Sequence, residues 1–153
     1  MNRLSGRSRH SGTATIPQIL FHIQEPDCSG YDFHYHLQER PEYLIGRAGL
    51  DHPLPPNCVR IALQDSRVSR NHCRIFLHSK GFWMIEDLGS TNGTHLHPPE
   101  AHHTPWLKVV MAMPLPDRSL IRVGQTLLAV RPLTTDPLVR PRWTWKRLLR
   151  QAA

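Results

Sequence analysis

A chain of 153 residues with 39% apolar content can bury one modest core, and its 14 prolines and 9 glycines favour short elements joined by turns over long helices. The net charge of +7 points to nucleic acid only until it is located: residues 1–15 carry +3, residues 134–153 carry +4, and residues 16–133 hold eleven bases against eleven acids. A neutral central region argues against a nucleic-acid-binding face on the domain, and leaves basic tails that suit an acidic partner, RNA or a membrane surface.

Residues 1–15, rich in Ser, Arg, Gly and Thr, lack an apolar pattern and read as a disordered basic tail. They also lack the apolar stretch of a secretory signal. From residue 16 the pattern is that of a β domain. ILFHIQ and FHYHLQ read as strands separated by the turn-rich EPDCSGYD, and PEYLIGR is a third short apolar run. RAGLDHPLPPN is a proline-rich loop. CVRIAL alternates with period two, placing Val59, Ile61 and Leu63 on one face. HCRIFLH and FWMIEDL are strands joined by SKG. The segment from His95 to Arg118 is a Pro- and His-rich insert, and its WLKVVMAMPL run is far short of the ~20 apolar residues of a membrane span. SLIRVG and QTLLAV form a last hairpin. The pattern gives nine or ten short strands and predicts an all-β sandwich or barrel over residues 16–133. Residues 134–153 form a basic, Trp-containing tail in which WTWKRLLRQ has the spacing of a short amphipathic helix. Such a tail fits docking to a larger assembly or to a membrane surface. Cys28, Cys58 and Cys73 form no CxxC pair, which favours a reducing, cytoplasmic setting over a disulfide framework.

Three loop motifs stand out at strand ends: Gly46-Arg47, Ser69-Arg70-Asn71-His72, and Ser90-Thr91-Asn92-Gly93-Thr94. In a sandwich, alternate strand ends share an edge, so these loops can converge on one surface. Arg47 offers a planar two-pronged donor to a dianionic phosphate. Ser69 adds a hydroxyl, and Arg70 and Arg67 add charge. Asn92 can donate to and accept from a peptide backbone, and Gly93 permits a backbone angle that a Cβ forbids.

Taken in order, these motifs closely resemble the forkhead-associated (FHA) domain family over roughly residues 17–132. The resemblance implies a β-sandwich of about eleven short strands that reads phosphothreonine in a partner protein. It implies Arg47 and Ser69 as phosphate ligands, Arg70 as a flanking contact, and Thr91 and Asn92 as contacts to the threonine side and main chain of the ligand. Gly46, His72 and Gly93 are expected to fix the loops, and Arg67 to read the peptide beyond the phosphothreonine. The sequence departs from the family in the long loop after Arg47 and in the segment from His95 to Arg118.

The implied role is a non-enzymatic adaptor that needs no cofactor. The competing reading is a constitutive structural or linker subunit that uses the fold as a scaffold and the tails and insert as docking elements. His95, His97, His102 and His103 match no common zinc spacing and read as a solvated loop rather than a metal site. Ser69, His72 and Asp87 lack the surroundings of a hydrolytic triad. Thr13, Thr15, Thr134 and Thr135 lie in the tails, where a phosphorylated threonine beside the domain could occupy its own pocket.

Overall fold

A computed structural model describes residues 18–34, 42–49, 52–99, 101 and 103–133. The two tails, including the amphipathic WTWKRLLRQ segment, lie outside the described residues.

The sequence alternation becomes eleven strands: β1 (Gln18–Gln24), β2 (Tyr31–His34), β3 (Glu42–Arg47), β4 (Cys58–Leu63), β5 (Cys73–Leu77), β6 (Trp83–Asp87), β7 (Thr94–His97), β8 (Leu107–Lys108), β9 (Met113–Pro114), β10 (Leu120–Val123) and β11 (Thr126–Leu133). They form a six-stranded sheet, ordered β2-β1-β11-β10-β7-β8, and a five-stranded sheet, ordered β4-β3-β5-β6-β9. No helix occurs among the described residues.

Alternate residues face inward from both sheets. Ile19, Phe21 and Ile23 of β1, Ile121 and Val123 of β10, and Leu128 and Val130 of β11 are buried. Opposite them lie Tyr43 and Ile45 of β3, Ile61 and Leu63 of β4, Ile75 of β5 and Ile85 of β6. Tyr43 ties the layers together, its ring 5.2 Å from Phe21 in an edge-on contact and 5.8 Å from Trp83. Burying such side chains on both inner faces is what stabilises a two-sheet stack.

Three details differ from the sequence reading. The second strand starts at Tyr31, two residues before the expected FHYHLQ run, because its pairing to β1 places Phe33 opposite Phe21. The expected loop at His95–His97 is strand β7, paired on both edges with β10 and β8. Two further short strands, β8 and β9, lie inside the Pro- and His-rich segment. Short polar strands of two to four residues carry too few alternations to stand out from a loop.

The long loop after Arg47 also has a physical reason. β3 and β4 pair in parallel, Glu42 beside Cys58 and Arg47 beside Leu63. A tight turn cannot join parallel neighbours, so the chain must return along the whole strand, about 20 Å, before β4 begins.

The strand directions bring selected loops to one end. β3 and β6 finish there, and β5, β7 and β11 begin there. Hydrogen bonds tie that end together: Arg47 N–H donates to Ser69 O at 3.0 Å, Leu88 N–H to His72 O at 2.9 Å, and Gln125 N–H to Asp65 Oδ2 at 2.7 Å.

Candidate functional site

At this end an open cleft of about 530 Å³ lies between residues 66–71 and 88–92, with Arg47 reaching in from the end of β3. Three arginines, Arg47, Arg67 and Arg70, line it with Ser69, Thr91 and Asn92, and no carboxylate does. Five residues expected as ligands and the expected specificity residue Arg67 therefore share one surface, although they come from three separate loops.

The loops are built to hold their shape without a ligand. Asp87 ends β6 and organises the turn that follows: its Oδ2 accepts from the N–H groups of Gly89 and Ser90 at 3.0 and 2.9 Å. Its Oδ1 accepts from the hydroxyls of Ser90 and Thr94, both at 2.6 Å. Burial alone would raise the Asp87 pKa, but these hydrogen bonds hold the carboxyl below its usual range. Gly89 and Gly93 take positive φ angles of 73° and 78°, where a side chain would be strained.

Asp65 does the same for the neighbouring loop. Its Oδ1 accepts from Arg67 N–H at 2.9 Å, and its Oδ2 accepts from Gln125 N–H and the Thr126 hydroxyl at 2.7 and 2.9 Å. Neither aspartate stood out as a site residue in the sequence. The signal was there as an aspartate two or three residues before the backbone donors it caps, in DSR and DLGS.

His72 joins the two loops. Ser69 N–H donates to its Nδ1 at 3.0 Å, so the proton sits on Nε2, which donates to Gly93 O at 3.1 Å. The ring is fully buried. Burial holds its pKa below the ordinary imidazole value, against the opposing pull of the Gly93 hydrogen bond and of the Asp87 and Asp65 charges. Both ring nitrogens face backbone groups, so His72 does not meet the Ser69 hydroxyl as a hydrolytic base would.

Gly46 makes room for the third motif. A Cβ at this position would stand 1.9 Å from Arg70 O. The same carbonyl accepts from Arg60 Nη1 at 3.2 Å, and Arg60 also reaches Asn71 Oδ1 at 3.4 Å. Arg60 on β4 is a further support that the sequence reading did not single out.

Two features leave donors facing the cleft. The Ser69 hydroxyl oxygen accepts from Thr91 N–H at 3.0 Å, while its hydrogen has only a 3.5 Å approach to Thr91 Oγ1. Arg47 Nη1 makes a long 3.4 Å contact to Ser66 O, and no carboxylate among the described residues pairs with Arg47, Arg67 or Arg70. Asn92 Nδ2 donates to Arg67 O at 2.7 Å, fixing the two loops at that point. Chemically, the arrangement is a preorganised set of positive donors with no internal counter-ion, which suits a multiply charged oxyanion.

The profile of the FHA domain matches residues 43–124. The chain belongs to the FHA domain family. This family is a phosphopeptide-interaction module rather than an enzyme family. Among relatives, the chain is 34% identical over 96 residues to the FHA domain-containing protein FhaB of Mycobacterium tuberculosis, covering 63% of this chain and 50% of that protein. The chain thus spans about half the length of that relative. Among solved structures, it is similar to the FhaA FHA domain complexed with the intracellular domain of Rv3910. That match has 30% identity and a TM-score of 0.50, and covers 74% of this chain and 99% of that one. It is also similar to an FHA domain from work on phosphothreonine-dependent FHA domain interactions, at 27% identity and a TM-score of 0.51, covering 79% and 99%.

The remaining expectations about this FHA domain concern metals and membranes. No group of three metal-binding side chains gathers among the described residues. His95 and His97 lie on strand β7 instead of in a solvated loop, and His97 packs 5.3 Å from the Trp106 ring. Among the described residues, no helix is long and apolar enough to cross a membrane.

Proposed function

We propose that this FHA domain is a phosphothreonine-peptide-binding adaptor that joins a phosphorylated partner protein without catalysis. The observation that carries the proposal is the cleft, where three arginines and the Ser69 hydroxyl converge with no carboxylate to neutralise them. A phosphate with close to two negative charges matches that donor set, whereas an unmodified threonine leaves the arginines unpaired. Arg47 and Ser69 take the phosphate, Arg70 flanks it, and Thr91 and Asn92 meet the threonine side and the peptide main chain. Arg67 faces the peptide beyond the phosphothreonine.

The domain division follows from this role: residues 16–133 bind the phosphopeptide, and the basic tails at 1–15 and 134–153 add contacts to an acidic partner, a larger complex or a membrane surface. The three free cysteines fit a cytoplasmic setting.

Fluorescence anisotropy with one peptide in threonine, phosphothreonine and glutamate forms tests the proposal. The phosphorylated form should bind, the other two should not, and Arg47→Ala should lose at least about tenfold in affinity, as expected for a charge-assisted pair worth ~1.5–3 kcal/mol. Equal binding of all three forms would sink it. Partner association that survives Arg47→Ala but fails on deleting residues 134–153 would favour the constitutive scaffold instead.

A further inference from the structure

The outward face of the six-stranded sheet carries a row of bases that the fold itself does not neutralise. Across β10, β7 and β8 the register sets Arg122 opposite His95 and His95 opposite Lys108. Arg122 and Lys108 therefore flank His95 from the two neighbouring strands. Among the described residues no carboxylate forms an ion pair with any of the three.

The row is held in place. The Arg122 guanidinium carbon lies 4.7 Å over the Trp106 ring, and Trp106 leans on His97. An arginine stacked in this way loses less freedom on binding an anion. Burial, then the charges of Arg122 and Lys108, hold the His95 pKa below its ordinary value. At neutral pH the row therefore presents two fixed positive charges beside a neutral imidazole.

The row is also continuous with the cleft. A Cβ on Gly93 would stand 3.2 Å from Lys108 Cε and 3.5 Å from His95 Cε1, so Lys108 and His95 lie against the residue next to Asn92. Three residue steps separate Asn92 from His95, at most about 10 Å, a distance that three peptide residues can span.

We infer that Arg122, Lys108 and His95 form a second anion subsite, which takes an acidic or phosphorylated side chain within about three residues along the same bound peptide. The inference rests on the phosphothreonine reading and deepens it. Two positive charges on a neutral domain are too few for a lipid surface or a nucleic acid, whose recognition takes clusters of several bases. They suffice for one carboxylate or phosphate already tethered by its neighbour in the cleft.

The test uses phosphothreonine peptides of alanine and glycine in which aspartate or phosphoserine is walked through each position on both sides. Affinities are read by anisotropy for the wild type and for Lys108→Ala, Arg122→Gln and Arg67→Ala, with thermal melts confirming that each variant folds. One side should show a position where aspartate tightens binding about fivefold and phosphoserine by more. Lys108→Ala and Arg122→Gln should each remove most of that gain while leaving the neutral phosphothreonine peptide unchanged. A gain at no position would overturn the inference. So would a gain that survives both substitutions and disappears with Arg67→Ala, because Arg67 would then be the reader. Failure of the neutral phosphothreonine peptide to bind wild type would instead overturn the phosphothreonine reading, and the second subsite with it.

Discussion

Replacing Gly46 with alanine adds one methyl group and should disable the cleft from beneath. The new Cβ would lie 1.9 Å from Arg70 O, and carbon–oxygen contacts settle near 3.3 Å, so the 69–71 segment must retreat by about 1.4 Å. That segment cannot retreat freely. Arg60 holds the same Arg70 carbonyl, Arg47 N–H holds Ser69 O, and His72 N–H holds Ile45 O at 2.9 Å. Overpacking of this kind costs about 1–3 kcal/mol. At least one of the tethering hydrogen bonds stretches as well, adding about 1 kcal/mol. The expected destabilisation is therefore about 2–4 kcal/mol, read as a fall in the urea midpoint at unchanged slope. Phosphopeptide affinity should fall further than the unfolded fraction accounts for, because Ser69 and Arg70 ride on the displaced segment. Measuring affinity well below the unfolding midpoint separates the two effects. A Gly46→Ala protein within about 0.5 kcal/mol of wild type and with unaltered affinity would refute the claim that this close approach sets the cleft.

Asp87→Ala removes the acceptor for four donors, one of them the fully buried Thr94 hydroxyl. It should cost about 2–3 kcal/mol in denaturant unfolding and raise hydrogen exchange across residues 88–93. His72 predicts a pH response: its folded pKa lies below the unfolded value of about 6.5, so the unfolded chain takes up a proton first as pH falls. Stability from this group is complete above about pH 6.5 and declines below it, by at most ~1.4 kcal/mol per pH unit, until the folded histidine protonates. His72→Gln should flatten that part of the pH–stability curve, and an unchanged curve would show that another group is responsible.

The sandwich was readable in the chain because its central strands alternate cleanly. Ile19, Phe21 and Ile23, or Ile61 and Leu63, are buried at every second residue. The short strands β7, β8 and β9 were not, since pairing across the sheet, rather than their own residues, makes them strands. The same division holds at the candidate site. Gly46, Arg47, Ser69, Arg70, Thr91 and Asn92 could be picked out as motif residues in separate loops. Asp65 and Asp87 carry a local signal, an aspartate two or three residues before the donors it caps, but the loops they join, and the part played by Arg60, depend on hydrogen bonds that only the folded loops define. The Arg122–His95–Lys108 row was hidden for a related reason: its members lie 13 to 27 residues apart and meet only through strand register.

The strand directions also decide where a phosphorylated tail could act. Gln18 pairs with Leu133, so β1 begins and β11 ends at the same end of the sheet, while Thr126, at the other end of β11, bonds to Asp65 beside the cleft. The seven residue steps of β11 put Leu133 about 23 Å from that end. Thr134 and Thr135 follow Leu133 by one and two residues, a reach of at most about 7 Å. Thr15 and Thr13 precede Gln18 by three and five residues, about 11 and 18 Å of chain, against about 20 Å for the length of β1 alone. Thr134, Thr135 and Thr15 cannot return to the cleft of their own domain, so for these three self-occupancy in cis is ruled out by length and the tether confers no local concentration. A phosphothreonine there would have to enter the cleft of a second copy. Protein phosphorylated at these positions should therefore bind a labelled phosphopeptide as tightly as the unmodified form at nanomolar protein. Competition should emerge only as protein concentration rises, together with dimers in sedimentation. Inhibition that is already complete at the lowest protein concentration, with no dimer formed, would contradict the strand geometry on which this rests.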